Sequence, residues 1–241
     1  MMRLPALLTA KSAKVRIARI FRTAHHGRLL AFADAAEVLH SGSAHPISHE
    51  RIRDTIASSS PVIWIGGSEP LDHPGIAHLV RALTPSGHYI FLKTNGTLLR
   101  RRIHEFQPLP RFFLTVSLDS LQSAEFGLAA EGLRAARLSG FLTAVHSRVD
   151  KNSELIELDQ LRAFMLETQV DGWLITAKST DDASTVRAAQ ARTRIPSASW
   201  RLFSALVERE LLTHAKGRES HGVSRVVKTH AKAREESVKV A

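Results

Sequence analysis

Residues 66–83 read "GGSEPLDHPGIAHLVRAL" and directly follow the continuously apolar run Val62–Ile65. An apolar run of strand length, a turn built on two glycines, a carboxylate and a proline, and then Ile76, Leu79, Val80 and Leu83 on one helical face make a βα unit. Pro74 just before the helix acts as its start signal. The unit recurs along the chain. β-Rich runs at Tyr89–Lys93, Phe112–Ser117, Leu142–Val149 and Trp173–Thr176 follow, with starts 27, 23, 30 and 31 residues apart. "VIWI" and "FFLTV" are apolar throughout rather than alternating, as strands of a parallel sheet buried on both faces require. Residues 123–138 carry a helical pattern that stops at Gly140. "NSELIELDQLRAFMLE" carries another, with Asn152 or Ser153 as cap and Glu154 and Glu157 in its first turn.

Upstream, "KVRIARIF" (14–21) alternates like a strand and brings the number of strands to six. Repeated βα units predict an α/β fold, either an open doubly wound sheet or a complete or partial barrel. Six strands fall short of the eight of a full barrel. Between them, "LLAFADAAEVL" has helical composition, "HSGSAHP" is a loop by composition, and Ser48 starts a helix that turns Ile52 and Ile56 to the core. After Ala177 the rhythm stops. "KSTDDAS" reads as a polar linker, 198–213 as an amphipathic helix carrying Trp200, Phe203 and Val207, and the remainder as a basic, weakly structured tail. The expected division is a basic segment 1–14, a barrel 15–177, linker and helix 178–213, and a basic tail 214–241.

A chain of 241 residues that is 44% apolar can fill one large α/β core. No apolar run reaches the eighteen or so residues needed to span a bilayer, which predicts a soluble, cytoplasmic protein without a membrane partner. The net charge of +10 sits at the ends: Met1–Leu30 holds seven Lys/Arg and no acid, and the tail from His214 holds seven Lys/Arg against Glu219, Glu235 and Glu236. Such ends suit solubility. Interleaved aromatics, which a nucleic-acid platform needs, are missing from them, and nucleic-acid or anionic-polymer binding through the termini is kept only as an alternative. The acid-free N-terminus also has the composition of an organellar transit peptide; the strand-like alternation of "KVRIARIF" argues against that reading. The sequence contains no cysteine. Disulfides, thiolate metal sites and thiol nucleophiles are thereby excluded within the chain.

Ligands of parallel α/β folds bind at the carboxyl ends of the strands, and the polar residues cluster there. The second strand ends in Gly66-Gly67-Ser68-Glu69-Pro70, the third in Thr94-Asn95-Gly96, the fourth in Ser117-Leu118-Asp119, and the fifth carries His146 and Arg148. Paired glycines let backbone approach a ligand, and Glu69 can accept hydrogen bonds from an ammonium. Asn95-Gly96 suits a left-handed turn, and Ser117 and Asp119 offer hydroxyl and carboxylate partners. Together they describe a pocket for a small polar zwitterion. His146 and Arg148, alternate residues of one strand, share a face on which an anion could be held; a buried structural pairing with Glu69 or Asp119 fits the pattern equally well.

The order "GGSEPLDHPGIAHLVRAL…GHYIFLKTNGTLL…FFLTVSLDS" closely resembles the radical SAM superfamily, over about Ile47–Ala177. In that family a Gly-Gly-Glu-Pro segment ends strand two, Thr-Asn-Gly strand three and Ser-Leu-Asp strand four, on a six-stranded partial (β/α) barrel. The resemblance implies that Gly66, Gly67, Glu69 and Pro70 edge the methionine amino group of S-adenosylmethionine and that Ser117 and Asp119 lie near the ribose. Thr94 and Asn95 match without insertion, whereas Ser68 lengthens the Gly-Gly-Glu-Pro loop by one residue.

The family holds a [4Fe–4S] cluster through a Cys-x3-Cys-x2-Cys loop after strand one. That loop is expected near Thr23–Leu39, where the sequence reads "TAHHGRLLAFADAAEVL". Such clusters need anionic thiolates, and adjacent His25 and His26 have no third partner at the right spacing. His45 and His49 are four apart, but Pro46 and the helix start at Ser48 break the shared face that a zinc pair would use. His73 and His78 read as exposed helix residues. No Gly-x-Ser-x-Gly, Walker or Gly-x-Gly-x-x-Gly motif occurs. The sequence therefore predicts a barrel of radical SAM type that lacks its cluster. Its expected role is binding S-adenosylmethionine or another small polar ligand without radical chemistry, or acting as a scaffold for a protein partner. An active radical enzyme with cysteines supplied by another chain is the alternative.

Overall fold

The computed structural model describes residues 2–21, 28–35 and 48–217. Six strands, β1 (Leu30–Asp34), β2 (Val62–Gly66), β3 (Tyr89–Thr94), β4 (Phe112–Ser117), β5 (Leu142–Val149) and β6 (Gly172–Ala177), lie side by side in chain order. Every neighbouring pair is parallel. The sheet curls into a half-barrel. Trp64 on β2 and His146 on β5 meet edge to face with ring centroids 5.7 Å apart, although strands three steps apart in a flat sheet would be separated by about 14 Å.

The helices named in chain order are α1 (Ala6–Ile20), α2 (His49–Ala57), α3 (Ile76–Leu83), the short α4 (Leu99–Arg102), α5 (Phe126–Leu138), α6 (Leu155–Glu167) and α7 (Asp182–Arg192). A last helix, α8, runs over 198–217. Helix α3 buries Ile76, Leu79, Val80 and Leu83, the four positions read from its periodicity. Ser48 caps α2 by accepting from the Arg51 amide. No helix among the described residues is long and apolar enough to cross a membrane.

Three expectations are corrected. "KVRIARIF" is not a strand but the end of α1, whose buried residues Leu8, Ser12 and Val15 follow helical spacing. Ile17, Ile20 and Phe21, which supported the alternation, stay largely exposed. The first strand is instead Leu30–Asp34, inside the stretch of helical composition; burial beside β2 overrides the propensity of its alanines. The loop after strand one therefore begins at Ala35, and residues 36–47 lie outside the described residues. Second, "KSTDDAS" (178–184) is not all linker: its last three residues begin α7, capped by Asp181, whose side chain accepts from the Ser184 amide. Third, Ser153 does not cap α6 but bonds Asp150, and the N-cap is Glu154, one residue beyond. The amphipathic helix of the C-terminal region is longer than read, since 214–217 continue it; residues 218–241 of the basic tail lie outside the described residues.

Helix α8 fills the concave side. Trp200 meets Phe113 at 6.0 Å, and Phe203 meets Phe91 at 5.4 Å. It also covers both open edges of the sheet. On β6, the Ile175 amide donates to Ser204 Oγ (2.8 Å), the Ser204 hydroxyl returns to the Ile175 carbonyl (2.7 Å), and the Ala177 amide donates to Glu208 (2.8 Å). Next to β1, the Leu29 amide donates to Glu210 at 3.2 Å. Both glutamates are buried and each has an arginine partner: Arg192 lies 2.7 Å from Glu208, and Arg19 of α1 pairs with Glu210. At the foot of β6 Gly172 gives Trp200 its place, because a Cβ there would lie 2.0 Å from the ring. Gly172→Ala is expected to cost about 1–3 kcal/mol through overpacking against a fully buried indole. Urea denaturation checks it, and an unchanged midpoint would refute this account of the closure.

Candidate functional site

Strands β2 to β5 end at one rim, and the motif residues meet there. The loop after β2 turns at Gly67 (φ +94°), where a Cβ would lie 2.3 Å from the Asp34 carboxylate at the end of β1. Only glycine allows that approach, and the space it frees is taken by Asp34. Both oxygens of Glu69 are engaged within the protein: one accepts from the Thr94 hydroxyl and the Leu71 amide (3.1 Å), the other from the Asn95 amide (2.7 Å). Asn95 in turn folds its own turn by accepting from the amide and hydroxyl of Thr97. Arg102 clamps the far side of the same loop. It donates to the carbonyls of Leu71, His73 and Pro74 and is held by Glu105. The Glu105 partnership keeps Arg102 above the usual arginine range and Glu105 below the usual carboxylate range. Removing the Glu69 carboxylate leaves three donors without their acceptor. Glu69→Ala is expected to lower stability by about 1–3 kcal/mol, read from urea unfolding, with Glu69→Gln recovering part of the loss.

Across the rim, Asp119 ties β4 to β5 by accepting from the Arg148 amide (2.8 Å) and guanidinium (3.1 Å). Leu118 accepts from Ser147, which in turn accepts from the Trp173 indole. A cavity of about 230 Å³ opens between these two networks, with Glu69, Lys93, Ser117, Asp119, Glu125 and Arg148 in its wall. Lys93 makes no hydrogen bond or ion pair among the described residues. Burial pushes its ammonium below the usual lysine range and Arg148 adds to the effect, while Glu69 and Asp119 draw it back. Ser117 Oγ is buried at this wall without a partner among the described residues. A second cavity of about 200 Å³ adjoins at Gly67, walled by Phe32, Asp34 and Trp64 and by Leu211 and His214 of α8.

Beneath the rim the concave face stays polar. His146 is 2% exposed and shares a 2.8 Å hydrogen bond with Thr176 through Nε2, while its Nδ1 and the Thr115 hydroxyl have no partner among the described residues. Burial drives the His146 imidazole well below the usual histidine range, and Lys93 and Arg148 act in the same direction. Unfolding returns His146 to its ordinary value near 6.5, so the unfolded chain takes up more protons below that pH. Stability should thus fall as pH drops from about 6.5, with a slope of at most ~1.4 kcal/mol per pH unit from this group. Denaturant unfolding between pH 7.5 and 5.5 tests this. His146→Phe should flatten the slope, leaving the smaller contribution of His73, which burial and Arg102 shift the same way.

The nine residues singled out from the sequence converge on this end of the barrel but divide in use. Glu69, Thr94 and Asn95 satisfy one another, Gly66 lies against the Trp64 indole, and Pro70 opens the short 3-10 turn Pro70–Asp72. Gly67, Ser117, Asp119 and Arg148 border the open cavity, as do Glu69, Pro70 and Asn95. Arg148 pairs with Asp119, one of the two acids considered, and His146 bonds Thr176. His25, His26 and His45 lie outside the described residues, His49 is exposed on α2, and His78 is exposed on α3. His73 is not on a helix. Its Nδ1 accepts from the Gly75 amide in the preceding loop. Lys93 was missed, although a charge within "YIFLKT", an otherwise buried strand, was the available signal.

No family model and no curated protein matches the sequence. Among solved structures, Streptococcus suis SuiB bound to S-adenosylmethionine matches with TM-score 0.54 and 14% identity, over 73% of this chain and 47% of that one. SuiB alone matches with TM-score 0.52 and 15% identity over 77% and 48%, and SuiB bound to the precursor peptide SuiA with 0.51 and 15% over 73% and 45%. SuiB is a radical SAM enzyme, and this chain spans about half its length. The protein has the partial-barrel fold of the radical SAM enzymes.

The [4Fe–4S] group of that fold does not fit the residues present. The chain has no thiolate donor anywhere, including the whole of 35–47 that follows β1. Among the described residues no three His, Asp or Glu side chains gather as a metal site either. The open wall offers two cations, two carboxylates not bound up in the Glu69 network, and the unpartnered Ser117 hydroxyl.

Proposed function

We propose that this radical SAM-like protein binds a small zwitterion at the carboxyl ends of β2 to β5, with S-adenosylmethionine the first candidate, and carries out no radical chemistry of its own. The observation that carries this reading is the rim cavity, where motif residues of successive strands border a space lined by both signs of charge. Asp119 and Glu125 would face the ligand's ammonium, and the Ser117 hydroxyl would contribute a directional contact. Two further points support it. SuiB, of the same fold, is bound to S-adenosylmethionine in one of the matched structures. The loops at the rim are also held rigid by contacts independent of any ligand, a preorganisation that lowers the entropy lost on binding. At about 230 Å³ the rim cavity is below the usual range for a drug-sized ligand, so a nucleoside would extend into the adjoining space beside Phe32 and Trp64.

No residue of this chain supplies a thiolate for the cluster that delivers an electron to a sulfonium. Calorimetric titration of the full chain with S-adenosylmethionine should give saturable heat, and Asp119→Ala, which also frees Arg148, should weaken binding about ten-fold. Absence of heat from the parent protein would remove S-adenosylmethionine as the ligand. Anaerobic reconstitution with iron and sulfide should leave the protein colourless; a visible iron–sulfur absorption together with reductive cleavage of the sulfonium would overturn the non-radical reading.

A further inference from the structure

Because residues 14–20 belong to a helix and not to a strand, α1 carries apolar side chains on two opposite faces. Leu8, Ser12 and Val15 turn inward, and Arg19 on the same side pairs with Glu210 of α8. At about 100° per residue, Ile17 lies opposite Leu8. Leu7, Ala10, Lys14, Ile17 and Phe21 form one row of positions three and four apart on that outer side, with Ile20 beside them. Leu7 is 47%, Ile17 54%, Ile20 64% and Phe21 73% exposed. Single exposed apolar side chains are ordinary, whereas a connected patch on the side away from the core marks a surface that another body covers. The other large exposed apolar residues, Leu128, Leu138, Ile156, Leu166 and Val186, are spread over three helices.

The charge on this helix has one sign. Lys14 and Arg16 are exposed, Lys11 is half-buried, and none of the three has an ion pair among the described residues. Residues 1–30 contain no acid. We infer that the outer face of α1 docks on an anionic lipid surface, with Ile17, Ile20 and Phe21 entering the acyl boundary and Lys11, Lys14 and Arg16 at the headgroups. A helix with an apolar face and basic flanks lies in the plane of the interface. It needs none of the length that spanning requires, so the lack of a spanning helix among the described residues does not oppose the contact. Other occupants match the face less well. A second copy related by a twofold axis would set Lys14 and Arg16 against their own kind, with no acid on the helix to offset them. A protein groove takes a helix with anchors along its length, whereas α1 is embedded on one side and presents small Ala10 and Ala13 midway. Nucleic acid would satisfy the cations and leave the apolar side chains in water. A lipid interface conforms to the patch and takes both kinds of group together. The inference is independent of what the rim cavity binds.

Two measurements on the full chain test the contact. The first uses the absence of cysteine, which lets one introduced thiol carry a dye without competition. Ile20→Cys labelled with an environment-sensitive fluorophore should shift to the blue on phosphatidylcholine vesicles containing about one-third phosphatidylserine, and Ile156→Cys, exposed on α6, should not. The second is co-sedimentation with the same vesicles. The parent should bind them and leave pure phosphatidylcholine vesicles unbound. Combining Ile17→Ser, Ile20→Ser and Phe21→Ser, all at exposed positions, should weaken binding about ten-fold or more, and so should Lys14→Gln with Arg16→Gln. Undiminished binding by the triple serine variant, or a label that does not shift, leaves the attraction to the basic tail and overturns the inference. Failure of the parent to bind, or equal binding to pure phosphatidylcholine, overturns it as well. A concentration-dependent dimer in solution that the triple serine variant abolishes makes a second copy the occupant and removes the lipid surface.

Discussion

A half-barrel of six parallel strands leaves two backbone edges unpaired and a concave face uncovered, and this protein meets all three needs with one helix. Unpaired amide and carbonyl groups on a sheet edge are costly when buried and invite association when exposed. Ser204, Glu208 and Glu210 of α8 bring side-chain oxygens to β6 and to the start of β1, while Trp200 and Phe203 occupy the space between the strands. Burying two carboxylates for this purpose demands counter-ions, and Arg192 and Arg19 supply them from α7 and α1. The rim cavity opens at the upper end of the barrel.

At that upper end, Glu69 and Asp119 each tie neighbouring strands together and each also borders the cavity, where Glu125 joins them. Glu69 joins the loop after β2 to the end of β3, and Arg102 fastens the same loop from its outer side. The rim is thus stiff before any ligand arrives. Asp119, Arg148, Lys93 and Ser117 stand on the opposite wall, and the burial that depresses the Lys93 and His146 pKa values is the same low-polarity surrounding that would strengthen a contact to a ligand's charge. Part of the motif phrase is thus structural in this chain, which contains no cysteine.

Five of the six strands were legible because parallel strands buried on both faces are continuously apolar, and "VIWI" or "FFLTV" can hardly be read otherwise. The first was not. "KVRIARIF" satisfies the alternation of a strand and the spacing of a helix at once, and "LAFAD" is rich in alanine, so local preference pointed the wrong way on both segments. The rim residues were legible from their repeated position at strand ends. Lys93 was hidden by belonging to a strand rather than to a loop, and the unpartnered state of Thr115 and His146 depends on which strand lies next to which.

The sequence by itself determined the βα repetition, the placing of Gly67, Glu69, Asn95 and Asp119 at strand ends, and the absence of thiolate ligands, because composition, periodicity and order along the chain are local properties. Only the tertiary structure decided that Glu69 spends both oxygens within the protein, that α8 closes the open barrel, and that Lys93, Ser117, Thr115 and His146 share one interior wall. Those outcomes follow from curling and register, which bring together residues separated by about 25 to 30 positions in sequence and which no single segment encodes.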